Sequence, residues 1–146
     1  MTLLRRLDHV AVAVRDTEAA LVYFRDGLGL TVMHAEEVES PHVRLTYLDG
    51  GNALLQLVEP LDSELDLARW IEEHGEGIHH VCFGVDDPLA AAAERAPKGA
   101  PAPVAGSGRG RVSAFVPGAA AHGVRIECTE FRYEDDVERT PGWLPG

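Results

Sequence analysis

The 146-residue sequence predicts an α+β fold in which two βαβββ modules pair into an open, barrel-like cleft. Three observations carry that expectation. First, Leu7-Asp8-His9-Val10-Ala11-Val12-Ala13-Val14-Arg15-Asp16 is echoed by Gly77-Ile78-His79-His80-Val81-Cys82-Phe83-Gly84-Val85-Asp86-Asp87. In each, a histidine heads an apolar run that ends in Asp seven residues later, and an Ala-rich segment follows. Second, His9 and His80 lie 71 residues apart, about half the chain, as expected for two copies of one unit. Third, one helix on four strands leaves a sheet face bare, and pairing two such units buries both bare faces.

The first module spans 1–59. Residues 7–14 are Val- and Ala-rich and read as a strand. Asp16 is placed as a helix N-cap, with Glu18 in the first turn where the helix dipole favours acid. Ala20, Leu21, Phe24 and Leu28 recur at helical spacing, and Gly27 and Gly29 end the run. Strands are expected at 30–38, 43–49 and 53–59. The turn Glu39-Ser40-Pro41 joins the first two, and Asp49-Gly50-Gly51-Asn52 joins the last two.

Residues 60–76 form a linker with its own short helix. Ser63 is the expected cap, Leu65, Leu67, Ala68, Trp70 and Ile71 follow, and Gly75 is the stop.

The second module spans 77–130. A strand is expected at 78–85 and a helix at 89–96, with Asp87 as cap and Pro88 at its first position. Three prolines between Pro97 and Val104 weaken the strand expected there. Ala105–Gly110 reads as a flexible glycine-rich hairpin, followed by strands at 111–116 and 124–130. The tail, 131–146, is acidic and has no clear period.

The net charge of −11, from 13 basic and 24 acidic residues, argues against nucleic acid and anionic membrane as partners. No apolar run approaches the roughly 18 residues of a membrane span, and no apolar signal core follows Met1–Leu7, so a cytoplasmic protein is expected. Cys82 and Cys128 are too few and too far apart for a disulfide framework or a Cys-rich zinc site. Cys82 is read as a small space filler.

If a metal is bound, His and carboxylate must therefore do most of the work. Gln56 lies 47 residues after His9, and Glu127 lies 47 after His80. Each is a polar residue between apolar neighbours in the last strand of its module. Burial of such a side chain without a partner costs about 1–3 kcal/mol, so both need one. His9, Gln56, His80 and Glu127 make a nitrogen–oxygen set suited to a divalent Co, Mn, Ni, Fe or Zn ion. Four protein ligands on a six-coordinate ion leave two positions to chelate a substrate and stabilise an enolate.

These runs, with Tyr23-Phe24-Arg25-Asp26-Gly27-Leu28-Gly29-Leu30, resemble the vicinal oxygen chelate superfamily. Leu55-Gln56-Leu57-Val58-Glu59-Pro60-Leu61 and Trp70-Ile71-Glu72-Glu73-His74-Gly75-Glu76-Gly77 are similar to its methylmalonyl-CoA epimerases. The likeness covers residues 7–130. It implies paired modules, a metal in the cleft held by His9, Gln56, His80 and Glu127, and a homodimer. His79 is then a neighbour of the ligand His80.

The subgroup also implies a second glutamate before the third strand, in a Pro-Glu-x-Gly-Val context. Alignment on Val43-Arg44-Leu45 puts Ser40 at that glutamate and His42 at the glycine. Val116 stands before Pro117 where the subgroup often has histidine. Epimerisation through an enolate needs an acid on one face and a base on the other. Glu127 is expected as one of these, and Glu39 or His42 as the other.

The leading expectation is a metal-dependent isomerase acting through a metal-stabilised enolate on a small carbonyl compound or acyl thioester. Epimerisation of a 2-methyl-branched acyl-CoA such as methylmalonyl-CoA is its most specific form. Two alternatives keep the scaffold: a glyoxalase-like isomerase, lyase or secondary-metabolism tailoring enzyme, and a non-catalytic ligand-binding protein.

Overall fold

The computed structural model describes residues 1–133. Its core is one eight-stranded mixed sheet. The strands are β1 (Arg6–Ala13), β2 (Val32–Glu39), β3 (His42–Asp49), β4 (Leu54–Pro60), β5 (Gly77–Val85), β6 (Gly106–Gly108), β7 (Arg111–Phe115) and β8 (Ile126–Glu130). They lie in the order β2-β3-β4-β1-β5-β8-β7-β6. The order reads the same from either end once the repeat is allowed for. β1 pairs parallel with β4, β5 pairs parallel with β8, and β1 and β5 meet antiparallel at the centre. The sheet curls until its ends approach: the Arg109 amide, just past β6, donates to Glu36 of β2 at 2.6 Å. The result is a barrel that is nearly closed.

Among the described residues, three helices cover the sheet. Helix α1 (Thr17–Leu21) is capped by Asp16, whose carboxylate accepts from the Ala19 amide at 3.3 Å. It continues as a wider π-helical stretch, Val22–Gly27, in which the Leu28 amide reaches back five residues to Tyr23. Gly29 then turns the chain with a φ of 79°. Leu21 packs with Val14, Leu48 and Leu57 on the outer face of the sheet. Helix α2 (Asp66–His74) lies on the other face, where Ile71 joins Val43, Leu45, Tyr47 and Val58. Helix α3 (Pro88–Arg95) begins at the expected Asp87 cap, which accepts from Ala90 at 3.1 Å. Its Ala91 packs on Val85 and Cys128.

Some local expectations shift. Ser63 does not cap α2: that helix starts at Asp66, with Leu65 at the cap position and no side-chain cap bond. No strand forms between Pro97 and Val104, because proline offers the ladder no N–H. The short strand β6 lies instead in the glycine-rich segment read as a flexible loop. Arg109 and Gly110, both at positive φ, form the tight turn into β7. The last strand starts at Ile126 rather than at 124. The tail beyond Tyr133 lies outside the described residues. Among the described residues, no helix is long and apolar enough to cross a membrane.

Candidate metal centre

The two parallel pairs at the heart of the sheet bring the four expected ligands into one cleft. His9 lies on β1 and His80 on β5 beside it, their ring centroids 5.6 Å apart. Gln56 on β4 stands opposite Ala11, and Glu127 on β8 stands opposite Cys82. His9, Gln56 and His80 are buried, and Glu127 is nearly so. The Glu127 Oε1 atom lies 3.2 Å from His9 Nε2 and 3.3 Å from His80 Nε2.

The donor atoms fit a divalent cation. His9 Nε2, Gln56 Oε1 and His80 Nε2 are all buried with no hydrogen-bond partner, since Glu127 lies near both imidazole nitrogens but out of hydrogen-bond alignment. Each such atom costs about 1–3 kcal/mol if left unsatisfied. Three in one cleft, with a carboxylate beside two of them, are relieved together by one ion. The ligating atoms of His9, His80 and Glu127 lie within 4.8 Å of one another. Burial alone would raise the Glu127 carboxyl, but His80 and His9 beside it outweigh burial and hold it below the usual carboxylate range. The fourth candidate ligand is thus an anion.

Each ligand is oriented by a partner behind it. Asp8 Oδ2 accepts a hydrogen bond from the Nδ1–H of His9 at 2.7 Å, which leaves Nε2 as the free lone pair. His79 Nδ1 lies 2.8 Å from His80 Nδ1. Burial, then His80 beside it, lowers His79 to about 3, so His79 is neutral and its Nδ1 can accept the proton of His80. Gln56 Nε2 donates to the Tyr47 hydroxyl at 2.9 Å, turning Oε1 to the cleft.

Strict alternation along β1 and β5 would put Asp8 and His79 on the face opposite their neighbouring histidines. Two irregularities change that. The β1–β5 register steps from Leu7 opposite Phe83 to His9 opposite Cys82, leaving Asp8 as an extra residue. It steps again from Ala11 opposite His80 to Val12 opposite Ile78, leaving His79 extra. Bulges of this kind re-aim side chains, and here each brings the residue before a ligand histidine onto that histidine's ring.

The cleft has a volume of about 640 Å³, within the range of small-molecule sites. Asp66, Trp70 and Glu73 of α2 form one wall, and Ser107, Gly108 and Arg109 another. Ser40 also lines it. Glu39 and His42 do not. Val43, Leu45 and Tyr47 of β3 face inward, so alternation turns His42 outward, where it lies 3.8 Å from Glu37. Glu39 is exposed across the hairpin from it. Neither residue anticipated as the second acid or base reaches the cleft.

Sequence reasoning also passed over Asp8, Tyr47 and Arg109. Arg109, read as part of a flexible hairpin, has its side chain only 9% exposed and paired with Asp8. The signal for Tyr47 was present: an inward phenol on a strand needs a partner for its hydroxyl. For Asp8 alternation pointed the wrong way. Asp8, His9 and Cys82 also gather ligand atoms within 4.8 Å, but Asp8 is committed to His9 and Arg109.

Comparison with known proteins shows the family and the fold. The chain is 36% identical over 110 residues to an ethylmalonyl-CoA/methylmalonyl-CoA epimerase of Cereibacter sphaeroides, covering 75% of this chain and 81% of that one. It is 34% identical over 80 residues to the uncharacterized protein YqjC of Bacillus subtilis, covering 55% of this chain and 57% of that protein. A solved variant of Streptomyces coelicolor methylmalonyl-CoA epimerase, in complex with 2-nitronate-propionyl-CoA, superposes with a TM-score of 0.76 at 34% identity. That match covers 88% of this chain and 95% of the other. Residues 8–116, which hold three of the four ligand positions, match a family model, and the chain belongs to the Glyoxalase/Bleomycin resistance protein/Dioxygenase superfamily.

Proposed function

We propose that the protein is a metal-dependent isomerase that epimerises a 2-methyl-branched acyl-CoA, such as methylmalonyl-CoA, through an enolate. One observation carries the reading: His9 Nε2, Gln56 Oε1 and His80 Nε2 are buried and unpartnered in a cleft that also holds Glu127. The epimerases among its relatives supply the choice of substrate.

His9, Gln56, His80 and Glu127 would hold a divalent Co, Mn, Ni, Fe or Zn ion. Such an ion supplies Lewis acidity, drawing electron density from a carbonyl oxygen and making the adjacent α-proton easier to remove. The chain's own groups do the rest. Glu127 is held as an anion and takes the α-proton on one face. Val43, Leu45 and Val58 are inward apolar walls that limit water near the reacting carbon. Asp8, His79 and Tyr47 fix the ligand rings and amide, so little reorganisation is needed when substrate arrives.

The proton must return on the opposite face. With Glu39 and His42 turned outward, that task falls to a group on the cleft wall. Besides Glu127, the carboxylates lining the cleft among the described residues are Asp66 and Glu73 of α2. The reading also takes the enzyme as cytoplasmic and, on the habit of its family, as a homodimer.

The test is incubation of metal-loaded protein with methylmalonyl-CoA in deuterated water, followed by proton NMR. Loss of the α-proton signal with interconversion of epimers is expected. Absence of exchange would move the assignment to a glyoxalase-like isomerase, lyase or tailoring enzyme on the same scaffold. The outward placement of Glu39 and His42 is what favours that second reading.

A further inference from the structure

We infer that Arg109 is a positioning residue for the metal centre: from the second module's hairpin, it holds the two outer groups that orient both first-module ligands. The inference rests on the metal reading above but not on the choice of substrate.

Arg109 sits at the tip of the β6–β7 turn, with a φ of 56°. Its guanidinium does not run into solvent. It crosses the seam between the modules, and the side chain is 9% exposed. Nη2 donates to Asp8 Oδ2, the same oxygen that accepts from His9 Nδ1. The carbon of the guanidinium lies 4.9 Å from the centroid of the Tyr47 ring. Tyr47 in turn accepts from Gln56 Nε2. One side chain therefore touches the carboxylate behind His9 and the phenol behind Gln56. The second module supplies this cation, and the first module supplies Asp8, Tyr47 and Glu36, which hold it.

Three local features show that the seat is built for it. The Arg109 amide is fixed to Glu36 at 2.6 Å, which anchors the turn over β2. Glycine at 108 lets the turn approach: a Cβ there would meet the Tyr47 hydroxyl at 2.7 Å. Finally, the Nε and Nη1 atoms are buried with no hydrogen-bond partner. The cation therefore accepts a desolvation cost for its contacts to Asp8 and Tyr47 alone. Buried charges of this kind are costly unless paired, so Asp8 needs Arg109 as much as Arg109 needs Asp8.

The chemical consequence concerns the ligands. An aspartate shared between a guanidinium and an imidazole N–H is held in place from two sides, so His9 presents Nε2 at one angle. A phenol clamped beneath a guanidinium keeps the Gln56 amide from turning its nitrogen to the ion. Loss of such outer partners lowers metal affinity about 10- to 100-fold in other metal sites.

The test uses Co²⁺ alone with the metal-stripped full-length protein. Calorimetric titration gives the Kd, and the visible d–d bands report ligand geometry. Arg109→Gln should bind Co²⁺ ten- to a hundredfold more weakly, with shifted bands. Arg109→Lys, which restores a cation beside Asp8 without the planar group over Tyr47, should recover part of the affinity.

An unchanged Kd in Arg109→Gln overturns the inference. So does a weaker Kd with unchanged bands, which marks a loss of fold stability only. If Arg109→Gln does not fold, Asp8→Asn/Arg109→Gln removes both charges together. That pair must then bind as weakly as Asp8→Asn or more weakly, with shifted bands; wild-type affinity overturns the inference. Failure of the wild type to bind Co²⁺ would instead sink the metal reading. Failure to exchange the α-proton of methylmalonyl-CoA would sink only the substrate.

Discussion

Asp8 and His79 occupy equivalent places in the two modules, 71 residues apart, and each bonds the Nδ1 of the ligand histidine that follows it. One is an anion and the other a neutral ring, so the two ligands are not electronically alike. Asp8 makes His9 the stronger donor, while His79 only fixes the direction of His80. Asp8→Asn should weaken Co²⁺ binding by at least tenfold, and His79→Gln by less. Calorimetric titration of the two stripped variants checks the order, and an equal or reversed ranking would contradict it.

The Tyr47 hydroxyl decides which end of the Gln56 amide faces the cleft. Tyr47→Phe removes that choice and about 1 kcal/mol of hydrogen bonding, with little change in packing. Co²⁺ affinity is expected to fall several-fold while the melting temperature drops by only a few degrees. Gly108→Ala should reproduce the affinity loss, because the added methyl must displace the same hydroxyl.

Much of this was legible in the sequence, and what was missed has a common cause. The repeat pointed to the strand order and to His9, Gln56, His80 and Glu127 as candidate ligands, because equivalent positions recur at the same offset in both halves. Alternation, however, assumes an unbroken register. At Asp8 and His79 the register breaks, and a sequence carries no simple mark for that. Gly106–Gly110 was misread for a related reason. Glycine-rich composition speaks of local freedom, whereas Arg109 is fixed by partners far along the chain, Glu36 at a separation of 73 residues and Asp8 at 101. Glu39 and His42 were reached by counting along a turn, where a one-residue shift reverses the face.

The second proton-transfer group can be separated from those two. Glu39→Gln and His42→Gln should leave deuterium exchange of methylmalonyl-CoA within about twofold of the wild type, since neither lines the cleft. Glu73→Gln and Asp66→Asn divide the remaining possibilities. Whichever acts as acid or base should slow epimerisation by about 10²–10⁴. Unchanged epimerisation in both would exclude α2 from the chemistry.

Cys82 and Cys128 are fully buried, and both thiols are pushed up in pKa by burial. Neither is poised as a nucleophile. Iodoacetamide at pH 8 should leave both unmodified in the native protein and label both in denaturant, as read by intact mass. Alkylation of Cys82 in the folded state would show that the sheet opens around β5, and would overturn its reading as a space filler.

Glu127→Gln tests ligand and proton carrier together. Wild-type protein should melt at a higher temperature when Co²⁺ is added, by about 2.7 kcal/mol of stabilisation at a hundredfold excess over Kd. Glu127→Gln should lose most of that gain and all α-proton exchange. The metal-free proteins should also differ in acid. The folded pKa of Glu127 lies below its unfolded value, so the stabilisation is present above about pH 4.3 and disappears as pH falls towards the folded value. Between pH 6 and pH 3 the wild-type melting temperature should therefore fall more steeply than that of Glu127→Gln. Parallel curves would mean that His9 and His80 do not hold the carboxylate ionised, and the site would lose its anionic ligand.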